Sequence, residues 1–362
     1  MMDARVDVDL GDRSYPIHIG AGVLARAREW LPADETGRCF AITHPIIARL
    51  HGEALERGMA GRPPEVILVP SGERQKSVRR ASALWDELLE RGADRRSTII
   101  AFGGGVIGDL AGFVAATYMR GVPYVQIPTT LLAQVDSSVG GKVAVNRPGG
   151  KNLVGAFYQP RLVIADVGVL ATLRARDYRE GLAEVVKHAV IADPQLFEWL
   201  ETHHGEILKR EAGILTELVR CNCEIKAGVV RADEREAGFR AILNFGHTAG
   251  HAIESVMKYG ALRHGEAVSI GMVVASRIGR IRGLTDDRLE GALVDLLAKF
   301  GLPTQVPNVS ASTILGRMSS DKKSLGGVPR FVLPRALGKM ELGCEVPADI
   351  VEKALVECGA SR

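Results

Sequence analysis

The 362-residue sequence lacks any apolar run of the ~18–20 residues that a membrane-spanning helix needs. Its first ten residues, MMDARVDVDL, alternate polar and apolar types and lack the apolar core of a signal peptide. The formal net charge is only +3, which predicts no general attraction to nucleic acid or anionic membranes. The five cysteines are scattered and odd in number, which indicates reduced thiols. These absences predict a cytoplasmic protein with neither nucleic-acid nor membrane partners.

Lysine is also scarce, since only 12 of the 46 basic residues are lysines. Where arginine supplies most of the positive charge, a lysine inside a motif indicates a specific, compact charge. The lysines singled out in this way are Lys142, Lys151, Lys187, Lys226, Lys322 and Lys323.

The chain length favours two domains. Residues 5–10 and 14–19 alternate around Gly11-Asp12 and predict an opening β-hairpin. Strand and helix patterns then alternate to about residue 170, which predicts a parallel sheet in an α/β domain. Beyond Asp177 the periodicity is helical, with one short strand at Arg330–Leu333. We therefore predict an α/β domain over residues 1–175 and an all-α domain over residues 176–362.

A glycine-rich loop, Gly103 to Gly108, fits G-x-G-x-x-G between a predicted strand at 97–102 and a predicted helix. That context is the one a dinucleotide-binding loop requires, because glycines let backbone amides approach a pyrophosphate. No acidic residue ends a strand about 20 residues later, so the ribose partner must come from elsewhere. Glu73 is the candidate, although it could equally be a solvated turn carboxylate.

The run PTTLLAQVDSSVGGKVAVN, residues 128–146, places many hydrogen-bonding side chains after a strand end. Ligands bind at such ends in α/β sheets. Because polar groups lie beside apolar residues such as Leu131 and Val135, we expect this run to line a ligand pocket. The alternative is a polar linker with glycine turns.

The segment NFGHTAGH, Asn244 to His251, places His247 and His251 on one helical face. Two imidazoles so placed can share a metal, or one can bind metal while the other moves a proton. His264 follows in HGE, and Glu184 lies one helical turn from Lys187. A carboxylate with imidazoles from other helices is a typical catalytic zinc set, although capping histidines and a surface ion pair would explain the same pattern. Spacing alone would pair His247 with His251.

Together these motifs resemble the 3-dehydroquinate synthase family of sugar-phosphate cyclases. The resemblance rests on SGERQKS, GGGVIGDLAGF, YMRGVPYVQIPTTLLAQVDSSVGGK, GKNLVGAFYQP, GLAEVVKH, LNFGHTAGHAIE, HGEAV and DKK at 321–323. It implies a Rossmann-like NAD-binding domain, a helical metal- and substrate-binding domain, and an active site between them that holds NAD and Zn²⁺ or Co²⁺. It also implies a homodimer.

The resemblance assigns roles residue by residue. The implied metal ligands are Glu184, His247 and His264. The implied cofactor contacts are Glu73, Lys76, Gly104, Gly105, Val106, Asp109, Thr129, Thr130, Lys142, Lys151 and Thr172. The implied substrate and catalytic set is Arg120, Asp136, Lys142, Asn152, Lys187, Lys226, Arg240, Asn244, His251, Lys322 and Lys323. Three positions depart from the family pattern: Thr43-His44 replaces an Asp or Asn, Val143 a threonine and Arg147 a histidine.

The implied substrate is 3-deoxy-D-arabino-heptulosonate 7-phosphate (DAHP), converted to 3-dehydroquinate and phosphate in the shikimate pathway. NAD would oxidise a hydroxyl, phosphate would leave, and NADH would return the hydride before ring closure, so that NAD is regenerated. Three alternatives remain: a cyclase for another sugar phosphate or an amino analogue of DAHP, a metal-dependent polyol dehydrogenase, and a non-catalytic nucleotide-binding regulator.

Overall fold

The structure is a computed structural model that describes residues 3–31, 37–257, 261–319 and 329–362. It divides into two compact units, Met1–Arg174 with Arg210–Arg235, and Ala175–Lys209 with Glu236–Arg362. The segment Arg210–Arg235 thus groups with the first unit, although the sequence pattern placed it in the second domain. The predicted substrate lysines Lys322 and Lys323 lie outside the described residues.

The first unit is built on strands and connecting helices. Its strands are β1 (Ala4–Val8), β2 (Tyr15–Gly20), β3 (Cys39–Thr43), β4 (Glu65–Leu68), β5 (Thr98–Gly103), β6 (Tyr124–Pro128), β7 (Lys142–Arg147), β8 (Gly150–Phe157) and β9 (Leu162–Asp166). Its first helices are α1 (Pro45–Gly58), α2 (Val78–Glu90) and α3 (Gly105–Thr117). A π-helical turn, Ala133–Ser137, and a 3-10 segment, Val167–Thr172, complete it with α6, described below.

Seven of these strands form one sheet in the order β1-β2-β9-β6-β5-β3-β4. The opening hairpin is confirmed, with β1 antiparallel to β2 and Ala4 opposite Ile19. The other neighbours in the sheet are parallel. Phe40 and Ile42 enter one core cluster with Leu110 of α3, while Ala41 enters another with Leu55 of α1. Both faces of the sheet are therefore covered, which is why its strands read as continuous apolar runs.

The strand order reverses between β3 and β5. From β3 the chain moves outward to β4, then crosses back to β5 and continues to β6. The carboxyl ends of parallel strands share one edge, and ligands bind outside that edge at such a reversal. The glycine-rich loop follows β5 and therefore lies at this position.

Strands β7 and β8 were not predicted. They form a separate antiparallel hairpin, with Lys142 opposite Phe157 and Val145 opposite Val154. Residues 142–146 of β7 belong to the polar run 128–146, for which the sequence favours a lined pocket and indicates no strand. Strand β8 is largely exposed, so its pattern lacks the buried alternation by which a half-buried strand is recognised.

The second part of the chain is helix-rich. Its elements are α4 (Ala175–Ala192), α5 (Pro194–Lys209), α6 (Ala212–Ala232), α7 (His247–Val256), α8 (His264–Ile281), α9 (Asp287–Lys299), α10 (Ala311–Ser319), β10 (Arg330–Ala336), β11 (Lys339–Glu345) and α11 (Ala348–Glu357). Helix α6 belongs to the first unit. Among the described helices, none is both long and apolar enough to cross a bilayer.

Two details of the second unit differ from the prediction. The helical periodicity predicted beyond Asp177 is interrupted at Asp193, whose carboxylate accepts hydrogen bonds from the amides of Gln195 and Leu196 and caps α5. The strand predicted at Arg330–Leu333 is present in β10, but it pairs with the unpredicted β11, so this helix-rich unit is not purely α.

Candidate active site

Three helices of the second unit bring Glu184, His247 and His264 together. Glu184 lies in the middle of α4, while His247 and His264 are the first residues of α7 and α8. The Nε2 atoms of His247 and His264 each lie 3.5 Å from Oε1 of Glu184. Glu184 is completely buried, and the three side chains can offer ligand atoms that all lie within 4.8 Å of one another. One carboxylate oxygen and two imidazole nitrogens form a donor set that suits Zn²⁺ or Co²⁺.

Glycines allow these helices to approach so closely. A Cβ atom at Gly271 of α8 would lie 1.9 Å from the carbonyl oxygen of Gly246, and one at Gly250 would lie 2.8 Å from that of Ala267. A Cβ atom at Gly265 would lie 2.0 Å from the carbonyl oxygen of Glu180 in α4. No larger side chain fits at these crossings without moving the backbone, so the glycines set the separation of the three ligands.

The two histidines have different surroundings. His247 Nδ1 donates to the carbonyl oxygen of Phe245 at 3.1 Å, which directs the Nε2 lone pair towards Glu184. His264 lies between Glu184 and Glu254, with Nδ1 3.7 Å from Oε2 of Glu254. In the metal-free protein, burial lowers the pKa of His247 well below its usual value. Burial also opposes protonation of His264, but the two carboxylates outweigh it and raise its pKa to about 10.

His251 and Lys187 lie beside this set. The His251 ring centroid is 5.2 Å from that of His247 and 5.8 Å from that of His264. The grouping of His264 with Glu184 and His247 rests on ligand atoms that lie within 4.8 Å of one another, whereas helical spacing alone indicates His247 with His251. Lys187 forms a buried ion pair with Glu184. Of the other candidates in this unit, Arg240 is buried, and Asn244 donates to Glu236 at 3.4 Å.

In the first unit the glycine-rich loop joins β5 to α3. The Thr129 amide donates to the carbonyl oxygen of Gly103 at 3.0 Å, which ties the ends of β5 and β6 together. A Cβ at Gly104 would lie 3.0 Å from Cγ2 of Thr130, and one at Gly108 would lie 2.9 Å from Oε1 of Gln126. These close approaches match the roles of glycine in a dinucleotide loop, namely backbone access to the ligand and tight helix–strand packing.

Most of the predicted cofactor residues lie at this sheet edge. Gly105, Val106 and Asp109 fall in the first turns of α3, Thr129 and Thr130 follow β6, and Thr172 follows β9. The Thr129 hydroxyl is buried and has no hydrogen-bond partner within the described part of the chain. An unpaired buried hydroxyl is costly, which points to a ligand that pairs with it.

Glu73 is not a free carboxylate, because Asn146 Nδ2 donates to it at 2.7 Å. Lys76 pairs with Asp109 of α3 and also donates to Asn152 of β8. The Asn152 amide in turn donates to Asn146 at 2.9 Å. These bonds join predicted cofactor residues and a predicted substrate residue in one network, which the β7–β8 hairpin brings together.

The remaining candidates of this unit are more dispersed. Lys226 of α6 donates to the carboxylate of Asp136 at 2.5 Å, so the helix that groups with this unit contributes a predicted substrate lysine. Lys142 and Lys151 are exposed. Arg120 has a φ of 71°, a left-handed conformation that is unusual for a residue with a side chain.

Sequence reasoning missed two residues that contact predicted ones, Glu254 beside His264 and His51 beside Thr172. Glu254 follows His247 by seven residues and His251 by three, so the same helical periodicity could have revealed it. His51 of α1 contacts the Thr172 hydroxyl at 2.9 Å. Because that hydroxyl donates to the carbonyl of Val169, His51 must donate through Nε2. No local pattern indicates this pair, which is 121 residues apart in sequence.

Comparison with solved structures indicates the class of enzyme whose fold this chain shares. The chain resembles 2-deoxy-scyllo-inosose synthase complexed with carbaglucose-6-phosphate, NAD⁺ and Co²⁺ (TM-score 0.88, 27% identity, 98% of this chain and 100% of that one). It also resembles 2-epi-5-epi-valiolone synthase from Streptomyces hygroscopicus subsp. jinggangensis with NAD⁺ and Zn²⁺ bound (TM-score 0.86, 29% identity, 97% and 98%). Both are NAD⁺- and metal-bound synthases, and their fold matches 97–98% of this chain.

Sequence comparison is more specific. Residues 66–180 match the family described as "3-dehydroquinate synthase N-terminal". Residues 181–324 match the family described as "3-dehydroquinate synthase C-terminal". A 3-dehydroquinate synthase from Pelobacter propionicus is 48% identical (91% of this chain, 93% of the relative), and one from Idiomarina loihiensis is 46% identical (98% and 99%). The chain belongs to the 3-dehydroquinate synthase family.

Proposed function

We propose that the protein converts DAHP to 3-dehydroquinate and phosphate, the reaction of its family in the shikimate pathway. The observation that carries this proposal is the set formed by the buried Glu184 with the partly buried His247 and His264, in a chain 46–48% identical to relatives named for that activity. The reaction is inferred from family membership, and the three-residue set would bind the metal ion that the reaction needs.

The residues fit the two cofactors. The loop at Gly104 and Gly105, with the unpaired Thr129 hydroxyl, would hold NAD, and the three-residue set would hold Zn²⁺ or Co²⁺. Bound NAD supplies a reversible hydride acceptor, and a bound metal ion polarises a substrate oxygen and lowers the pKa of its proton.

The chain's own cations would bind the two anionic groups of DAHP. Arginine binds carboxylate and phosphate through a rigid fork of donors, and lysine binds them as a compact charge. The proposed cations are Arg120, Lys142, Lys151, Lys187, Lys226 and Arg240, with Lys322 and Lys323 from outside the described residues, and the neutral Asn152 would add an amide hydrogen bond. His251, whose ring centroid lies 5.2 Å from that of His247, would move or orient a proton.

The direct test is turnover of DAHP by purified protein with a metal ion and less NAD than substrate. We expect release of one phosphate per DAHP, formation of 3-dehydroquinate, and no net NADH absorbance. Phosphate release that stops after one equivalent of NAD, with stoichiometric NADH, would contradict the proposal.

A second candidate is a cyclase for another sugar phosphate, which the two solved synthases favour by fold. Their identity of 27–29% is well below the 46–48% of the 3-dehydroquinate synthases. Parallel assays with glucose 6-phosphate and with the amino analogue of DAHP separate the two candidates. Faster turnover of either compound than of DAHP would overturn the assignment.

We also propose that the enzyme is a cytoplasmic homodimer without nucleic-acid or membrane partners. All five cysteines lie within the described residues and are free thiols, in keeping with a reducing compartment. Light scattering coupled to size exclusion should give twice the chain mass of 38.9 kDa.

A further inference from the structure

Glu254 is a buried carboxylate that the proposed reaction does not use. It lies in α7, two helical turns after His247, and is 8% exposed. Burying a carboxylate is costly unless nearby groups compensate its charge. One such group is the His264 imidazole, whose Nδ1 lies 3.7 Å from Oε2 of Glu254.

The two ring nitrogens of His264 face different carboxylates. Nε2 faces Glu184, the carboxylate of the proposed ligand set, whereas Nδ1 faces Glu254. The 3.7 Å between Nδ1 and Oε2 is an ion-pair distance, slightly longer than a hydrogen bond. An imidazole whose second N–H faces a carboxylate is oriented by it, and once it donates to that carboxylate it is held in one tautomer and becomes a stronger ligand. His247 differs, because its Nδ1 donates to the neutral carbonyl of Phe245.

We propose that Glu254 is the positioning residue for the proposed metal centre, orienting His264 and increasing its donor strength. Helix α7 thereby supplies one ligand, His247, and also the support for a ligand on the neighbouring helix α8. This inference rests on the proposed function, because it requires that the Glu184, His247 and His264 set binds a metal ion.

The test compares Glu254→Gln with a matched control, Glu290→Gln. Glu290 is also a buried carboxylate of the second unit, but it pairs with Arg277 and Arg280 of α8, away from the three ligands. Affinities for Zn²⁺ and Co²⁺ are measured by competition with a chromophoric chelator, together with the melting temperature of the metal-free proteins.

We expect Glu254→Gln to weaken metal binding ~10–100-fold, the usual effect of losing such a support. The Co²⁺ absorption spectrum at saturation should keep the wild-type intensity, since all three ligands remain. Glu290→Gln should bind metal as the wild type does. A purely structural role for Glu254 would instead lower the metal-free melting temperature and leave the affinity unchanged.

An affinity of Glu254→Gln within threefold of the wild type would overturn the inference while leaving the proposed function intact. Absence of metal binding by the wild type would overturn both. If Glu254→Gln does not fold, Glu254→Asp replaces it. This variant should also bind metal more weakly than the wild type, because its shorter side chain cannot reach His264 equally well. An unchanged metal affinity would again overturn the inference.

Discussion

Replacing Gly271 by alanine tests whether close helix packing sets the geometry of the proposed metal centre. The added methyl carbon would lie 1.9 Å from the carbonyl oxygen of Gly246 and 2.7 Å from the amide nitrogen of Gly250. Both are backbone atoms of the segment that positions His247, so no side-chain rotation relieves the clash. Helices α7 and α8 must separate by roughly 1.5 Å to restore an ordinary contact.

Two opposing effects set the change in the free energy of unfolding. Overpacking destabilises by ~1–3 kcal/mol, and exchanging glycine for alanine within a helix stabilises by ~0.5–1 kcal/mol. We therefore expect a net loss of about 1–2 kcal/mol in the free energy of unfolding. Because His247 moves relative to His264 when the helices separate, metal affinity should fall by at least tenfold, since ligand distances tolerate shifts of only ~0.2 Å.

The assay combines urea unfolding of the metal-free protein with chelator competition for Zn²⁺. Gly291→Ala in α9 is the matched control, because a Cβ atom there has nothing within 4 Å. That variant should be as stable as the wild type or more stable, with unchanged metal affinity. If Gly271→Ala is as stable as Gly291→Ala and binds Zn²⁺ equally well, the packing argument is wrong.

Three further outcomes are expected. His247→Ala should lose bound Zn²⁺, whereas His251→Ala should retain it and lose turnover by ~10²–10⁴-fold; metal analysis decides this, and equal zinc loss would refute the ligand assignment. Thr129→Val should leave stability unchanged or improved, because it removes an unpaired buried hydroxyl, yet weaken NAD binding in a fluorescence titration; unaltered NAD affinity would contradict its role. Burial lowers the pKa of His51 below its usual 6.5, so protonation of His51 favours unfolding. The free energy of unfolding of the wild type should therefore fall more between pH 7 and pH 5 than that of His51→Gln. Urea unfolding curves at both pH values measure this, and an equal fall in the two proteins would contradict it.

Local sequence patterns were sufficient for the main elements of the fold. Strand β5, Thr98–Gly103, matches the strand predicted at 97–102 to within one residue at each end, and the run from β5 through the glycine loop into α3 follows the predicted order. Continuous apolar strands and helix periodicity are local signals of burial, so they can be read without knowing the neighbours. The β7–β8 hairpin escaped prediction because β8 is exposed, and an exposed strand carries little hydrophobic pattern.

For the candidate site, the sequence by itself determined which chemical groups are available and, through family resemblance, which roles they are expected to have. Helical spacing alone favoured His247 with His251, because both lie on one face of α7. Only the tertiary structure placed His264 of α8 and Glu184 of α4 against His247. Glu254 and His51 likewise acquired a role only through contacts with residues on other elements. Distances across helices depend on how closely backbones pack, here on Gly271 and Gly265, and no local periodicity encodes that separation.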